Sequence, residues 1–396
     1  MKALVFNCGS SSLKFAWFTL GSDCRQLARG RIEQIGAGAR AVMVHGQERA
    51  ERTIDVRDHA AAALAVLDWL QGQPEAAAGS LADVTVHRVV HGGGVVNVAV
   101  RVDDAVLQAL EAASRFAPLH NPQALATLRA VNRRLTDTPA VVVPDTGFHH
   151  TLPDYAREYA LPRELVQRQG IRRFGFHGIG HAWMMERYAA LSGQPATQLK
   201  LITLQLGAGC SAAAIDAGRS VDTSMGLTPL EGLMMATRSG DLDPAIVEFL
   251  IREGRMTAGQ VDHLLNHDSG LLGVSGRSAD MRTLESQASD DADAALALTM
   301  FCYRVRKYIG AYLAALGGAD AIVFGGGIGE NSATARARIC DGLAPLGIVL
   351  DEARNHAASG QERCISSDAS KVRVQVVPLD EELYMAQATQ RLLQRP

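Results

Sequence analysis

The chain is poor in lysine: of its 39 basic residues only five, at positions 2, 14, 200, 307 and 371, are lysines. The arginines that make up the rest are scattered without a run, and the formal net charge is -3. With no basic stripe to track a phosphate backbone, no nucleic-acid partner is expected. Cysteine is sparse as well. Its six copies, at 8, 24, 210, 302, 340 and 364, form no CxxC pair and have no histidine at metal-finger spacing, so they read as reduced thiols in a cytoplasmic protein, mostly small core residues. Long apolar runs are missing: the least charged stretch, 201–215, is shorter than a membrane span and is broken by Gln205 and by glycine and small polar residues, and MKALVFN runs into a turn after a few apolar residues. Neither a membrane span nor an export signal is therefore expected. The chain contains no GK dipeptide, which rules out a Walker-type P-loop. It also lacks a low-complexity linker, the nearest thing being the loop 71–79.

What remains is ordinary globular material, 396 residues with 47% hydrophobic and 20% charged side chains, enough for two to three domains with large cores. The β-branched and aromatic run at 2–7 leads into the turn cluster CGSSS and then LKFAWFTL, a strand, a tight turn and a returning strand. A similar unit recurs mid-chain as LKLITLQL, GAGCS and AAAIDAG. Two copies of one device imply an internally duplicated fold. Helical patterns cover 57–70, 103–113, 122–133 and 294–316, and strands VTVHRVV, TPAVVVP, AIVF and VRVQVV alternate with them. This predicts an α/β architecture with mostly parallel central sheets. The stretch 145–180 reads as loop-rich, a domain boundary falls near 145–147, and the last helix, 381–393, is expected to return to the first domain.

Several residues can carry chemistry, and each has a plainer alternative. In SMGLTPLEGLMMATRSGDLDP, 224–244, a short apolar helix pattern interrupted by Gly232 ends in Arg238 ringed by Ser239, Gly240 and Asp241; it suits presentation of a guanidinium to an anion, or equally a surface arginine at a helix C-terminus. NCGSSSLK, 7–14, offers glycine-freed amides, hydroxyls and Lys14 to phosphate oxygens, or is a simple hairpin turn. GGGIGEN, 325–331, follows a strand as a glycine loop able to approach a nucleotide. A dinucleotide fingerprint counted from Gly325 would want glycine where Glu330 stands, which tells against a dehydrogenase. Arg88 in HRVVHGG ends a strand, pointing into a crevice or lying on an edge. Asp145 follows a buried strand, an address used by catalytic carboxylates and by turns alike. His177 sits in the loop of RRFGFHGIGH, and Asp380 is an N-cap with Glu381 and Glu382 in the first helical turn.

In their order and near spacing, Arg88, Asp145, His177, Arg238 and Glu381 closely resemble the acetate and propionate kinase family, and the resemblance runs over essentially the whole chain. It implies an α/β fold of two duplicated actin-like ATPase (ribonuclease H-like) domains around a nucleotide cleft, as in sugar kinases and the Hsp70 ATPase. The first domain would span 1–147, with 382–396 packing back on it; the second, 148–381, would bind nucleotide and serve dimerisation in a homodimer. The implied reaction is ATP-dependent, reversible phosphorylation of acetate to acetyl phosphate. The alternatives are a propionate kinase or a non-kinase ATPase of the superfamily, against which stands the apolar pocket that the resemblance implies beside Arg88. The resemblance assigns Asn7 and Glu381 to Mg²⁺ (or Mn²⁺) and Lys14 to the nucleotide, ATP or ADP. It assigns Arg88, with a pocket of Val90, Leu119, Phe176 and Pro229, to the carboxylate, and Asp145, His177 and Arg238 to the moving phosphoryl. The turn with Gln205, Gly207 and Gly209, and the segments Asp280, Met281, Arg282 and Gly327, Ile328, Gly329, Glu330, Asn331, would hold the nucleotide. Two departures stand out. Where the family reads HLGNG this chain has QLGAG at 205–209, and where it reads HGTSH this chain has HGIGH at 177–181.

Overall fold

The structure, a computed structural model, describes residues 1–394 apart from 22, 37, 78, 358 and 359. Residue 78 of the 71–79 loop and residues 395 and 396 of the C-terminal segment lie outside the described residues. The chain divides into two compact units, Met1–Phe148 with Asp380–Pro396, and His149–Leu379.

The first unit holds an eight-stranded sheet. Its strands are β1 Lys2–Cys8, β2 Ser12–Thr19, β3 Arg25–Glu33, β4 Ala39–His45, β5 Glu48–Ile54, β6 Val84–Val89, β7 Val100–Arg101 and β8 Ala140–Pro144, in the order β5-β4-β3-β2-β1-β6-β8-β7. β1 pairs antiparallel with β2 and parallel with β6, which pairs parallel with β8. Both faces of β1 are covered, so its sequence is almost continuously apolar rather than alternating. Helices His59–Gln71 and Asn121–Arg134 cover the sheet; Asp58 caps the first by accepting from the Ala61 amide at 2.8 Å, and Pro122 opens the second without losing a helical hydrogen bond. Leu4, Phe6, Phe15, Trp17, Leu67 and Leu128 form the heart of the core.

The second unit contains β9 Lys200–Leu206, β10 Cys210–Asp216, β11 Arg219–Thr223, β12 Ala321–Gly325, β13 Arg363–Cys364 and β14 Arg373–Val376, in the order β11-β10-β9-β12-β14-β13. Here β9 pairs antiparallel with β10 and parallel with β12, which pairs parallel with β14. The run β3-β2-β1-β6-β8 of the first sheet thus recurs as β11-β10-β9-β12-β14 in the second, with the same strand directions. The two sequence units that suggested a duplication are the β1–β2 and β9–β10 hairpins of these sheets. The 25-residue helix Ala292–Leu316 buries Phe301, Val305, Ile309 and Tyr312. No helix among the described residues is long and apolar enough to cross a membrane.

Four expectations need correction. The sheets are mixed rather than mostly parallel: only β1–β6, β6–β8, β9–β12 and β12–β14 pair parallel, because the hairpins and the strands added at the sheet edges pair antiparallel. Residues 224–244 form no helix: Gly232 and Gly240 have φ of +108° and +67°, and a Cβ at Gly232 would stand 2.5 Å from the Ser224 carbonyl oxygen. The apolar residues Leu233, Met234, Met235 and Ala236 are buried in a folded-back loop instead. The 325–331 segment is a short helix, Gly326–Asn331, and the region read as loop up to 180 already begins the Gly178–Ser192 helix. Strands β3 to β5 had no apolar alternation to announce them; β5 is largely exposed and is held by its register with β4 and by the Arg40–Glu51 ion pair.

Candidate active site

In the first unit the carboxyl ends of β1, β6 and β8 bring Asn7, Arg88 and Asp145 together. Arg88 donates from Nη1 to Asn7 Oδ1 at 3.0 Å and from Nη2 to Asp145 Oδ2 at 2.9 Å. Asp145 is 1% exposed. Burial opposes the charge on Arg88, but Asp145, Glu381 and Glu382 outweigh it and raise the guanidinium above its ordinary pKa. Asn7 Nδ2 in turn donates to Glu381 Oε2 at 3.0 Å and to Glu382 Oε1 at 2.9 Å, across the first turn of the Glu381–Leu393 helix. The cap expected of Asp380 is present, its side chain accepting from the Leu383 amide at 2.9 Å. Burial, with Glu381 beside it, pushes the Glu382 carboxyl up from its ordinary range, while Lys14 and Asn7 oppose the rise. Lys14 lies directly opposite Asn7 in the β1–β2 register.

In the second unit His177 takes a left-handed backbone, φ +58°, at the N-cap of the Gly178–Ser192 helix. A non-glycine residue holds that conformation only where its surroundings impose it, at a cost of about 1–3 kcal/mol. The ring is fixed by a polar chain: His177 Nδ1 lies 2.8 Å from Ser211 Oγ, which lies 2.8 Å from His181 Nε2, and His181 Nδ1 is 2.7 Å from Thr203 Oγ1. Burial holds the His181 imidazole well below its usual pKa, so it is neutral and carries one ring proton. The other face of the His177 ring borders the 207–209 turn. A Cβ placed on Gly209 would lie 3.3 Å from His177 Nε2 and 3.6 Å from Arg238 Nη2. Arg238 donates from Nη1 to the Pro229 carbonyl at 2.8 Å, and the Ala236 amide donates to the Ala208 carbonyl at 3.0 Å, which ties the arginine loop to this turn. Burial lowers the Arg238 pKa from its ordinary value, against a smaller opposing effect of Cys210; an arginine side chain nonetheless stays protonated in proteins.

The residues expected to hold the nucleotide are partly spent on structure. Gly207 donates its amide to the Gly209 carbonyl at 3.1 Å, and a Cβ on Gly207 would stand 3.8 Å from the Gly327 nitrogen, so the turn and the 325–331 segment adjoin. Glu330 accepts from the amides of Gly326 at 2.9 Å and Leu379 at 3.1 Å, and Asn331 donates to the Gly327 carbonyl at 2.8 Å. Ile328 shares this short helix, whose last carbonyls, of Gly329 and Glu330, accept from the buried Arg336. Asp280 caps the Met281–Gln287 helix, Met281 is buried, and Arg282 pairs with Asp280 at 3.1 Å in solvent. Of the residues expected to line a carboxylate pocket, Val90 is buried one residue past the end of β6, whereas Leu119 is 58% exposed in the first unit. In the second unit, Phe176 is buried and receives a hydrogen bond from His149 on its carbonyl.

Sequence reasoning gave no site role to Glu382, Ser211 and His181. Strand alternation carries a signal for Ser211, the direct cross-strand partner of Gln205. Nothing in the sequence separates Glu382 from Glu381, because both are acidic residues in one first turn.

The first unit thus holds a buried arginine–aspartate pair, and the second a histidine and an arginine beside a glycine turn. Comparison with known proteins places the chain among the kinases of small carboxylates. The acetokinase family model matches residues 2–387. An acetate kinase of Clostridium kluyveri is 44% identical, covering 100% of this chain and 98% of its own. The crystal structure of Porphyromonas gingivalis acetate kinase superposes with a TM-score of 0.92 at 38% identity, covering 99% of this chain and all of the other. A propionate kinase from Francisella tularensis gives 0.92 at 36%, covering 98% and 99%. The chain belongs to the acetate kinase family, and its fold is the duplicated actin-like α/β fold.

Proposed function

We propose that the protein is an acetate kinase, catalysing ATP plus acetate to ADP plus acetyl phosphate in both directions. The observation that carries the reading is the convergence of His177 Nε2 and Arg238 Nη2 on Gly209, two positively charged or donating groups beside a turn with no side chain in the way. A carboxylate is already ionised near neutral pH, so no base is needed to make the nucleophile. What is needed is alignment of two anions and neutralisation of the equatorial phosphoryl oxygens. Arg88, kept charged and aimed by Asp145 and Asn7, binds the acetate carboxylate. A carboxylate oxygen attacks the γ-phosphorus, the bond to the ADP oxygen breaks, and Arg238 and His177 donate to the phosphoryl oxygens as charge spreads over them. Ser211 donating to Nδ1 would leave the His177 proton on Nε2, the nitrogen beside Gly209. Asp145, already paired with Arg88, orients that cation rather than taking a proton.

Of the residues that the resemblance assigns to Mg²⁺, Glu381, with Glu382 beside it, would offer carboxylate oxygens to the ion, while the Asn7 oxygen accepts from Arg88; when bound, the ion would supply charge neutralisation on the phosphates. No group of three or more His, Cys, Asp or Glu among the described residues could hold a metal alone. Val90 beside Arg88 favours acetate, and the propionate kinase likeness makes propionate the second substrate to test. All six cysteines are free, in keeping with a cytoplasmic location. A homodimer is supported by the Ala245–Arg252 helix, which buries no residue of its own and exposes Ile246, Phe249 and Ile251. Size-exclusion chromatography with light scattering checks it by reading twice the chain mass. The reaction itself is tested by trapping acyl phosphate as hydroxamate with acetate, propionate and butyrate side by side. Acetate should give the highest kcat/KM; no hydroxamate from any of the three would end the proposal.

A further inference from the structure

Two of the residues at which the chain departs from its family's pattern, Gln205 and Gly180, touch. A Cβ built on Gly180 would fall 1.9 Å from Gln205 Oε1 and 3.0 Å from its Cδ, far inside van der Waals contact. The carboxamide therefore occupies the space that any side chain at position 180 would need. This contact lies under the first turn of the Gly178–Ser192 helix, where residues 177, 180 and 181 share one face. Facing it are Thr203, Gln205 and Ser211, which share one face of β9 and β10 because 203 and 205 alternate together and Ser211 is the direct partner of Gln205. Thr203 and Ser211 bind His181, and Ser211 binds His177. Gln205 is the remaining member of that polar row, and Gly180 is its counterpart on the helix.

We infer that Gly180 and Gln205 are a matched positioning pair. The missing side chain at 180 admits the carboxamide, and the carboxamide sets how the helix turn seats on β9–β10 and so how Ser211 holds the His177 imidazole. The departures at 180 and 205 are then one coupled change rather than two losses. The inference deepens the phosphoryl-transfer reading and rests on it for the turnover readouts only.

The test is a double-mutant cycle with Gly180→Ala, Gln205→Ala and the double variant, together with Gly180→Ser/Gln205→His. Either single change removes the carboxamide from its seat, so each should lower kcat about tenfold with acetate KM within twofold, as expected for a small displacement of a group that acts in the transition state. The double alanine variant should again lose about tenfold rather than a hundredfold, since contacting residues do not add. Gly180→Ser/Gln205→His should recover most of the activity that Gly180→Ser alone loses. Multiplicative losses, or kcat within twofold in Gly180→Ala, would overturn the pair. NMR titration of the His177 ring reads the same contact without turnover: its midpoint should move in both single variants and move no further in the double. An unmoved midpoint defeats the inference, whereas a moved midpoint in a chain that makes no hydroxamate supports the pair and defeats only the proposed function.

Discussion

Replacing Asp145 by asparagine keeps the shape of the β8 terminus and removes one charge from a buried pair. The partner is Arg88, 2.9 Å away with a side chain only 14% exposed. Two unit charges about 4 Å apart attract by about 4 kcal/mol at an effective dielectric of 20, and breaking a buried pair by removing one member costs about 3–5 kcal/mol. Asn7 still accepts from Arg88, and Glu381 and Glu382 still act on it, which places the loss at the lower end, about 3 kcal/mol. Urea unfolding reports this well, because Trp17 is buried in the same unit. Replacing the pair together, Arg88→Met with Asp145→Asn, should return more than half of the lost stability, because no buried cation is left stranded. A cost below about 1 kcal/mol for Asp145→Asn, or a double variant as unstable as the sum of its parts, would refute the pairing argument.

Two further outcomes follow from the same geometry. Val90→Ala should improve propionate relative to acetate by about 1 kcal/mol in kcat/KM, roughly the value of one methylene, and an unchanged ratio removes Val90 from the pocket. His87, fully buried and stacked on Phe6 with ring centroids 5.3 Å apart, has its pKa lowered by burial to about 3. Between that value and the unfolded value of about 6.5 the unfolded chain binds a proton that the native chain refuses, so stability rises with pH there. This contribution is complete above pH 6.5 and is lost as pH falls toward 3, at about 1.4 kcal/mol per unit. His87→Phe, which keeps the stack, should therefore lose about 2 kcal/mol less than the parent between pH 7 and pH 5 in urea midpoints; an equal loss contradicts the assignment.

How much of this was legible beforehand varied with the kind of signal. The Glu381–Leu393 helix and its Asp380 cap follow directly from residue chemistry, as do the two hairpins, whose buried strands are short apolar runs ended by small-residue turns. The 224–244 loop was misread because its apolar residues recur at helical spacing. Glycines at 232 and 240, whose positive φ is set by close contacts with distant backbone, overrode that spacing. The site residues were recoverable as a set only through family resemblance, since each alone has an ordinary structural use. The Gly180–Gln205 contact was visible in sequence as two unrelated oddities, and only the packing of a helix turn on a strand joins them.

The central claim is that Arg238 and His177 act on the phosphoryl group in flight, and the kinetics of Arg238→Ala test it most directly. The guanidinium lies beside Gly209 and the His177 ring, and on the proposed function its contact with the phosphoryl group is made as charge spreads rather than when substrates bind. The account predicts a fall in kcat of roughly a hundredfold or more with both KM values changed only modestly. A folded Arg238→Ala enzyme whose kcat stays within a few-fold of the parent would contradict it.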